Sequence, residues 1–146
     1  MKTIILAAAI ALTSFTASAN KETSQKKVNV KVSIAFEKEF GQVDNITWST
    51  VSKNMMRASF TQNDEKVNAF FDESGEYVAS TIERTKEELP AKLRAAISKK
   101  EKDGIITEAI ELQGDDEHAY YVKVYVNGVE KVYKGSSWGM IQLVNY

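Results

Sequence analysis

What most constrains this chain is its punctuation. Short apolar runs recur, most of them closed by a cluster rich in Asn, Asp, Gly, Ser or Lys. Runs over residues 43–49, 56–61, 67–71 and 77–82 form one group, and runs over 105–112, 119–126, 129–134 and 140–144 form another. Strands joined by turns of about four residues or fewer can pair only with their sequence neighbours, so the sheet they build is antiparallel. The strongest single turn signal is Asn127-Gly128 between two alternating runs, because both positions of such a turn need positive φ. The chain has 7 Gly and 1 Pro, too few for a fold made of loops.

A helix is expected ahead of each group. Over residues 28–40 two periodicities compete: Val28, Val30, Val32, Ile34 and Phe36 alternate as in a strand, while Val32, Ala35, Phe36 and Phe40 share a helical face. The charged Glu37, Lys38 and Glu39 and the stop at Gly41 favour a helix over 32–40. In the second half Leu89, Leu93, Ala96 and Ile97 mark one face, with Glu87 and Glu88 near the positive end of the dipole and Lys99, Lys100 and Lys102 near the negative end. Pro90 suits the first helical position. Thr85-Lys86-Glu87-Glu88 also reads as a capping box, but a start at Thr85 would trap Pro90 inside the helix, so Pro90 is preferred. The fold class expected is α+β, a tandem repeat of one helix plus a four-stranded antiparallel sheet. The repeats cover about 28–84 and 85–146, with Phe36 matched to Leu93 and little residue identity between the halves.

Composition limits the chemistry. There is no Cys and a single His, His118, so thiol catalysis, disulfides and zinc-thiolate or iron-sulfur sites have no ligands. A formal charge of -1 offers no basic footprint for nucleic acid. At the N-terminus, Met1-Lys2, an apolar run over 4–12 and Ala17-Ser18-Ala19 make a signal peptide over 1–19. That run is shorter than the roughly 18–20 residues that span a bilayer. A flexible tail is expected over 20–27, and the mature protein is expected in the periplasm or secreted, without membrane insertion.

Several runs resemble a known family. Phe36-x-x-x-Phe40-Gly41-Gln42-Val43-Asp44-Asn45-Ile46-Thr47-Trp48, then Arg57-Ala58-Ser59-Phe60, then Asn68-Ala69-Phe70-Phe71-Asp72-Glu73-Ser74-Gly75-Glu76-Tyr77-Val78 are similar to the PepSY-like, beta-lactamase-inhibitor-protein-like (BLIP-like) domains exported by Bacteroidetes. Glu88-Leu89-Pro90-x-x-Leu93 and Ala119-Tyr120-Tyr121-Val122-Lys123-Val124 resemble the second half of those domains. The resemblance covers essentially the whole mature chain, and its motifs mark a fold rather than a chemistry. It implies a helix on a four-stranded sheet, repeated, with a sheet surface that grips a protein partner, and it raises restraint of a peptidase as a role.

From the residues themselves, alternation along 118–126 assigns Tyr120, Val122, Val124 and Val126 to the core and Tyr121, Lys123 and Tyr125 to an open face. Tyr133 on the next strand and Trp138 in the following loop extend that face, giving Tyr121, Lys123, Tyr125, Tyr133 and Trp138 as the candidate binding residues. Asp115-Asp116-Glu117 are consecutive rather than alternating, unlike a calcium loop, and read as a solvated turn. No Ser lies in a nucleophile elbow, and no cofactor or metal is expected. The function expected is an exported, non-catalytic binding module for a protein or peptide, inhibitor-like in its sharpest form. A periplasmic carrier of a small ligand or metal is the alternative.

Overall fold

The computed structural model describes residues 28–115 and 117–145; the expected leader and tail over 1–27 lie outside the described residues. The fold is α+β, with two helices, eight strands and antiparallel ladders among the described residues. It divides into two compact units, one running to Ile82 with Gly114 and Asp115 added, the other formed by the rest.

In the first unit, helix α1 (Val30–Phe40) precedes β1 (Thr47–Ser52), β2 (Met55–Gln62), β3 (Glu65–Asp72) and β4 (Tyr77–Glu83). The helical periodicity prevails over the alternation because only Val32 and Phe36 are buried, whereas Val30 and Ile34 face solvent. Asn29 caps the N-terminus by accepting from the Lys31 N–H, and this cap lets the helix start ahead of Val32. Gly41, at φ 73, ends it and donates to the Glu37 carbonyl. Beneath α1, Ala58, Phe60, Val67, Ala69, Phe71 and Ile82 form the core. Phe36 lies at its centre, with the rings of Phe40, Trp48, Phe60 and Phe71 at centroid distances of 5.2, 5.5, 5.1 and 6.1 Å.

The turn between β3 and β4 is built on Asp72. Its Oδ1 accepts from the Ser74 hydroxyl at 2.6 Å and from the Ser74 and Glu76 N–H groups at 2.9 Å each. Gly75 sits at φ 89, where a Cβ would come within 2.9 Å of the Lys31 carbonyl in the first turn of α1. Only glycine satisfies both the dihedral and the close approach.

In the second unit, α2 (Ala91–Lys100) precedes β5 (Ile105–Gly114), β6 (His118–Val126), β7 (Val129–Gly135) and β8 (Ile141–Leu143). Both competing start signals are used. The Thr85 N–H and hydroxyl donate to the Glu88 carboxylate at 2.6 and 2.8 Å, and the Glu88 N–H donates back to the Thr85 carbonyl at 3.2 Å. This closes a separate turn, after which Pro90 stands at the N-cap position, one residue ahead of the first helical position expected for it, with no side-chain cap bond. Leu93 and Ile97 are the buried α2 positions and pack with Leu89, Ala109, Tyr120, Val122, Val124 and Tyr133. The β6–β7 hairpin turns on Asn127 (φ 51) and Gly128 (φ 79), as the sequence requires. Between β7 and β8, Gly139 stands at φ 87, and a Cβ there would come 2.8 Å from the Lys92 carbonyl in the first turn of α2.

The ladders are not apolar on the helix side alone. In the first unit Phe70, Ala79 and Thr81 face away from the helix-side core and are buried. In the second, Ile110, Leu112, Ala119, Tyr121 and Val132 are buried on the face opposite Val122 and Val124. Four consecutive residues are buried at 79–82, at 109–112 and at 119–122, as happens only when both faces of a strand are covered. The open second face expected from the sequence is corrected accordingly.

Candidate binding surface

The five residues assigned to one open face separate in the structure. Tyr121 points away from the helix side, as alternation requires, but it is 0 % exposed, beside the buried Ile110. Burial, with the Glu117 carboxylate nearby, pushes its phenol up to about 12. Its hydroxyl is buried and has no hydrogen-bond partner among the described residues. Tyr133 lies directly across from Val122 and therefore on the helix-facing side, where it is buried. Its hydroxyl donates to Glu101, whose carboxylate also accepts from Lys131 at 2.8 Å. Burial and that carboxylate push the Tyr133 phenol up to about 12 as well. Tyr121 and Tyr133 thus present no surface to a partner, and the sequence reading is corrected for both.

The other three are accessible to different degrees. Lys123 is ion-paired to Glu108 at 3.1 Å across the β5–β6 ladder, its side chain only 15 % exposed. Tyr125 is 45 % exposed and pairs across the same ladder with the exposed Ile105. Trp138 is 75 % exposed, with Met140 equally open two residues on. The Lys92 ammonium of α2 stands 4.6 Å from the Trp138 ring centroid, a cation-π contact that fixes one side of the indole. Met140 and Ile105 carried no binding signal in the sequence, since each opens an apolar strand run, Met140-Ile141 and Ile105-Ile106, and reads as part of the sheet.

The only His belongs to a polar cluster that the residue types alone did not reveal. Glu111 on β5 is buried, and its Oε2 accepts from Arg84 Nε at 2.8 Å. Its Oε1 lies 2.5 Å from His118 Nε2 and 3.1 Å from Gln113 Nε2. Burial alone would raise the Glu111 carboxyl. The bonds from His118, Gln113 and Arg84, with the Arg84 charge, outweigh that and hold it below the ordinary carboxylate range. A depressed folded value means that the ionised carboxylate stabilises the fold above the unfolded pKa of about 4.3, and that this contribution is lost as pH falls through the folded value. Urea midpoints between about pH 6 and about pH 3 should therefore fall more steeply for the natural chain than for Glu111→Gln; parallel curves would remove Glu111 from the acid response. Among the described residues no group of three or more His, Asp or Glu side chains could hold a metal ion, and no helix is long and apolar enough to cross a membrane.

No family model matches the chain, and no curated protein matches it significantly. Solved structures do. A BLIP-like protein from Bacteroides fragilis NCTC 9343 superposes with a TM-score of 0.72 at 14 % identity, covering 84 % of this chain and 89 % of its own. A DUF2874 family protein from Bacteroides uniformis ATCC 8492 gives a TM-score of 0.72 at 18 % identity, covering 78 % and 86 %. A protein of Bacteroides eggerthii DSM 20697 that carries a periplasmic assignment gives 0.72 at 20 % identity, covering 81 % and 90 %. At such identities the likeness establishes the fold, which is that of these BLIP-like and DUF2874 proteins, in agreement with the resemblance read from the sequence.

Proposed function

We propose that the protein is an exported, non-catalytic binding module of the periplasm or extracellular space that engages a protein or peptide through the β7–β8 turn of its second unit. The observation that carries this reading is Trp138, a large aromatic side chain left 75 % exposed on a turn fixed by Gly139. Aromatic residues of this kind dominate protein interfaces because they bury much area at little entropic cost. Tyr125 with Ile105 offers a second apolar contact, and Lys123 is held back by Glu108. Inhibition of an exported peptidase or other hydrolase is the sharpest form of the reading and rests on fold likeness, an associational ground.

The two units read as copies of one repeat. Val32 and Phe36 are the third and seventh residues of α1, and Leu93 and Ile97 are the third and seventh of α2. In both units a positive-φ glycine of the last turn abuts the second residue of the helix, Gly75 against Lys31 and Gly139 against Lys92. This equivalence matches Phe36 with Ile97, one helical turn away from the Phe36–Leu93 match suggested by the sequence.

A pull-down from periplasmic extract with the natural chain should retain one stoichiometric partner. Trp138→Ala should release it by roughly tenfold or more while leaving the melting temperature unchanged. A partner held equally by Trp138→Ala would remove this surface. Tyr121→Ala is unsuitable as a binding probe, because its side chain is in the interior.

A further inference from the structure

The β3–β4 and β7–β8 turns are built alike, and the comparison isolates Trp138. In the first, the Gly75 N–H donates to the Asp72 carbonyl and the Asp72 N–H to the Glu76 carbonyl; in the second, the Gly139 N–H donates to the Ser136 carbonyl and the Ser136 N–H to the Met140 carbonyl. Asp72 Oδ1 accepts from the Glu76 N–H, and Ser136 Oγ accepts from the Met140 N–H at 3.3 Å. The position before the glycine is Ser74 in one turn and Trp138 in the other. Ser74 serves its turn by donating to Asp72. Trp138 makes no hydrogen bond to its turn and reaches out to Lys92 instead. The turn closes on Ser136 and Gly139, so the indole is not needed to close it.

Charge separates the two helices in the same way. Helix α1 carries Lys31, Lys38, Glu37 and Glu39, a balanced set, whereas α2 carries Lys92, Arg94, Lys99 and Lys100 and no acid. Lys92 and Lys99 are two turns apart on one stripe, about 10 Å along the axis, with only the small Ala95 and Ala96 between them. Neither lysine has an anionic partner among the described residues. Of the carboxylates nearest the two ends of the helix, Glu88 is engaged by Thr85 and Glu101 by Lys131 and Tyr133.

We infer that the partner of this surface is an acidic protein segment in which an aromatic or long apolar side chain stands beside a carboxylate. The apolar group lies against Trp138 and Met140, and the carboxylates meet Lys92 and Lys99. Lys92 covers one side of the indole, and the exposed remainder of the ring can take one side chain with that cation beside it. The four cations of α2 only reach the lower end of the about four to eight on which membrane recognition draws, and just Lys92 and Lys99 share a stripe, so a protein segment fits better than a lipid surface. The inference rests on the Trp138 reading above and adds the chemistry of the partner.

The test is selection of displayed random short peptides on the natural chain, followed by calorimetry of the selected peptides. Selected sequences should pair Asp or Glu with Trp, Phe or Leu. Their affinity should fall roughly tenfold or more with Trp138→Ala, and comparably with the double change Lys92→Glu and Lys99→Glu. It should also weaken with added salt. Peptides lost with Trp138→Ala but indifferent to the double charge reversal and to salt would overturn the acidic partner and leave the Trp138 reading standing. Peptides indifferent to Trp138→Ala would overturn both. Failure to select any peptide, or Trp138-dependent binding to phosphatidylglycerol vesicles in place of peptides, would overturn the inference. An unchanged melting temperature in each variant establishes that the fold is intact.

Discussion

Phe36→Ala is expected to lower the stability of the protein by about 3–5 kcal/mol, the range for truncating a fully buried aromatic side chain. The ring is 1 % exposed and lies within 6.1 Å, centroid to centroid, of four other aromatic rings. Its removal takes away buried apolar area and leaves a cavity walled by stiff rings on α1, β1, β2 and β3, which can collapse only in part. Alanine is the better helix former, but that gain is on the order of 0.5 kcal/mol and cannot offset the cavity. Phe36→Leu, which keeps more of the volume, should cost clearly less. Urea unfolding followed by tryptophan fluorescence measures both, since Trp48 is 5.5 Å from the Phe36 ring. Equal midpoints for Phe36→Ala and the natural chain would mean that this cluster is not the core of its unit.

Tyr121 is expected to give two opposite results. Tyr121→Ala should cost about 3–5 kcal/mol, because the side chain is fully buried among Ile110 and its neighbours on the face away from the helix. Tyr121→Phe should be neutral or stabilising by about 1 kcal/mol, because its hydroxyl is desolvated without a partner among the described residues. Tyr133→Phe makes the contrast, since that hydroxyl donates to Glu101 and its loss should destabilise. Denaturation midpoints should therefore rank Tyr121→Phe at or above the natural chain and Tyr133→Phe below it. The reverse ranking would show that the Tyr121 hydroxyl is the one that is bonded.

These two tyrosines also mark where the sequence could and could not be read. Turn chemistry is local, so Asn127-Gly128 and the strands beside it were legible, as was the presence of both helices, but not their starts: α1 begins at Val30 behind the Asn29 cap and not at 32, and Pro90 stands just before α2 and not at its first position. Which face is buried depends on what covers it, and alternation carries that information only for a strand with one wet side. The unbroken apolar run Ala119-Tyr120-Tyr121-Val122 was the available sign that β6 has none over that stretch. Tyr133 was decidable without a structure: a two-residue turn at Asn127-Gly128 sets Val126 against Val129, and counting outward sets Val122 against Tyr133. The Glu111 cluster was not decidable, because Arg84, Gln113 and His118 converge only through cross-strand register and the path of the chain after β4. Trp138 was legible as an exposed loop residue, but not its contact with Lys92, which depends on the turn folding back on α2.

The hairpin at Asn127-Gly128 has a practical consequence. Unlike Gly75 and Gly139, which are wedged against helix backbone, Gly128 has nothing within 4 Å of where a Cβ would stand. The tip therefore has room for a reporter: a fluorophore or affinity handle carried on a side chain at the exposed position of Val129, beside the turn and not inserted into it, extends into solvent from a hairpin that holds neither helix in place, and leaves the Trp138 turn free to meet whatever it meets.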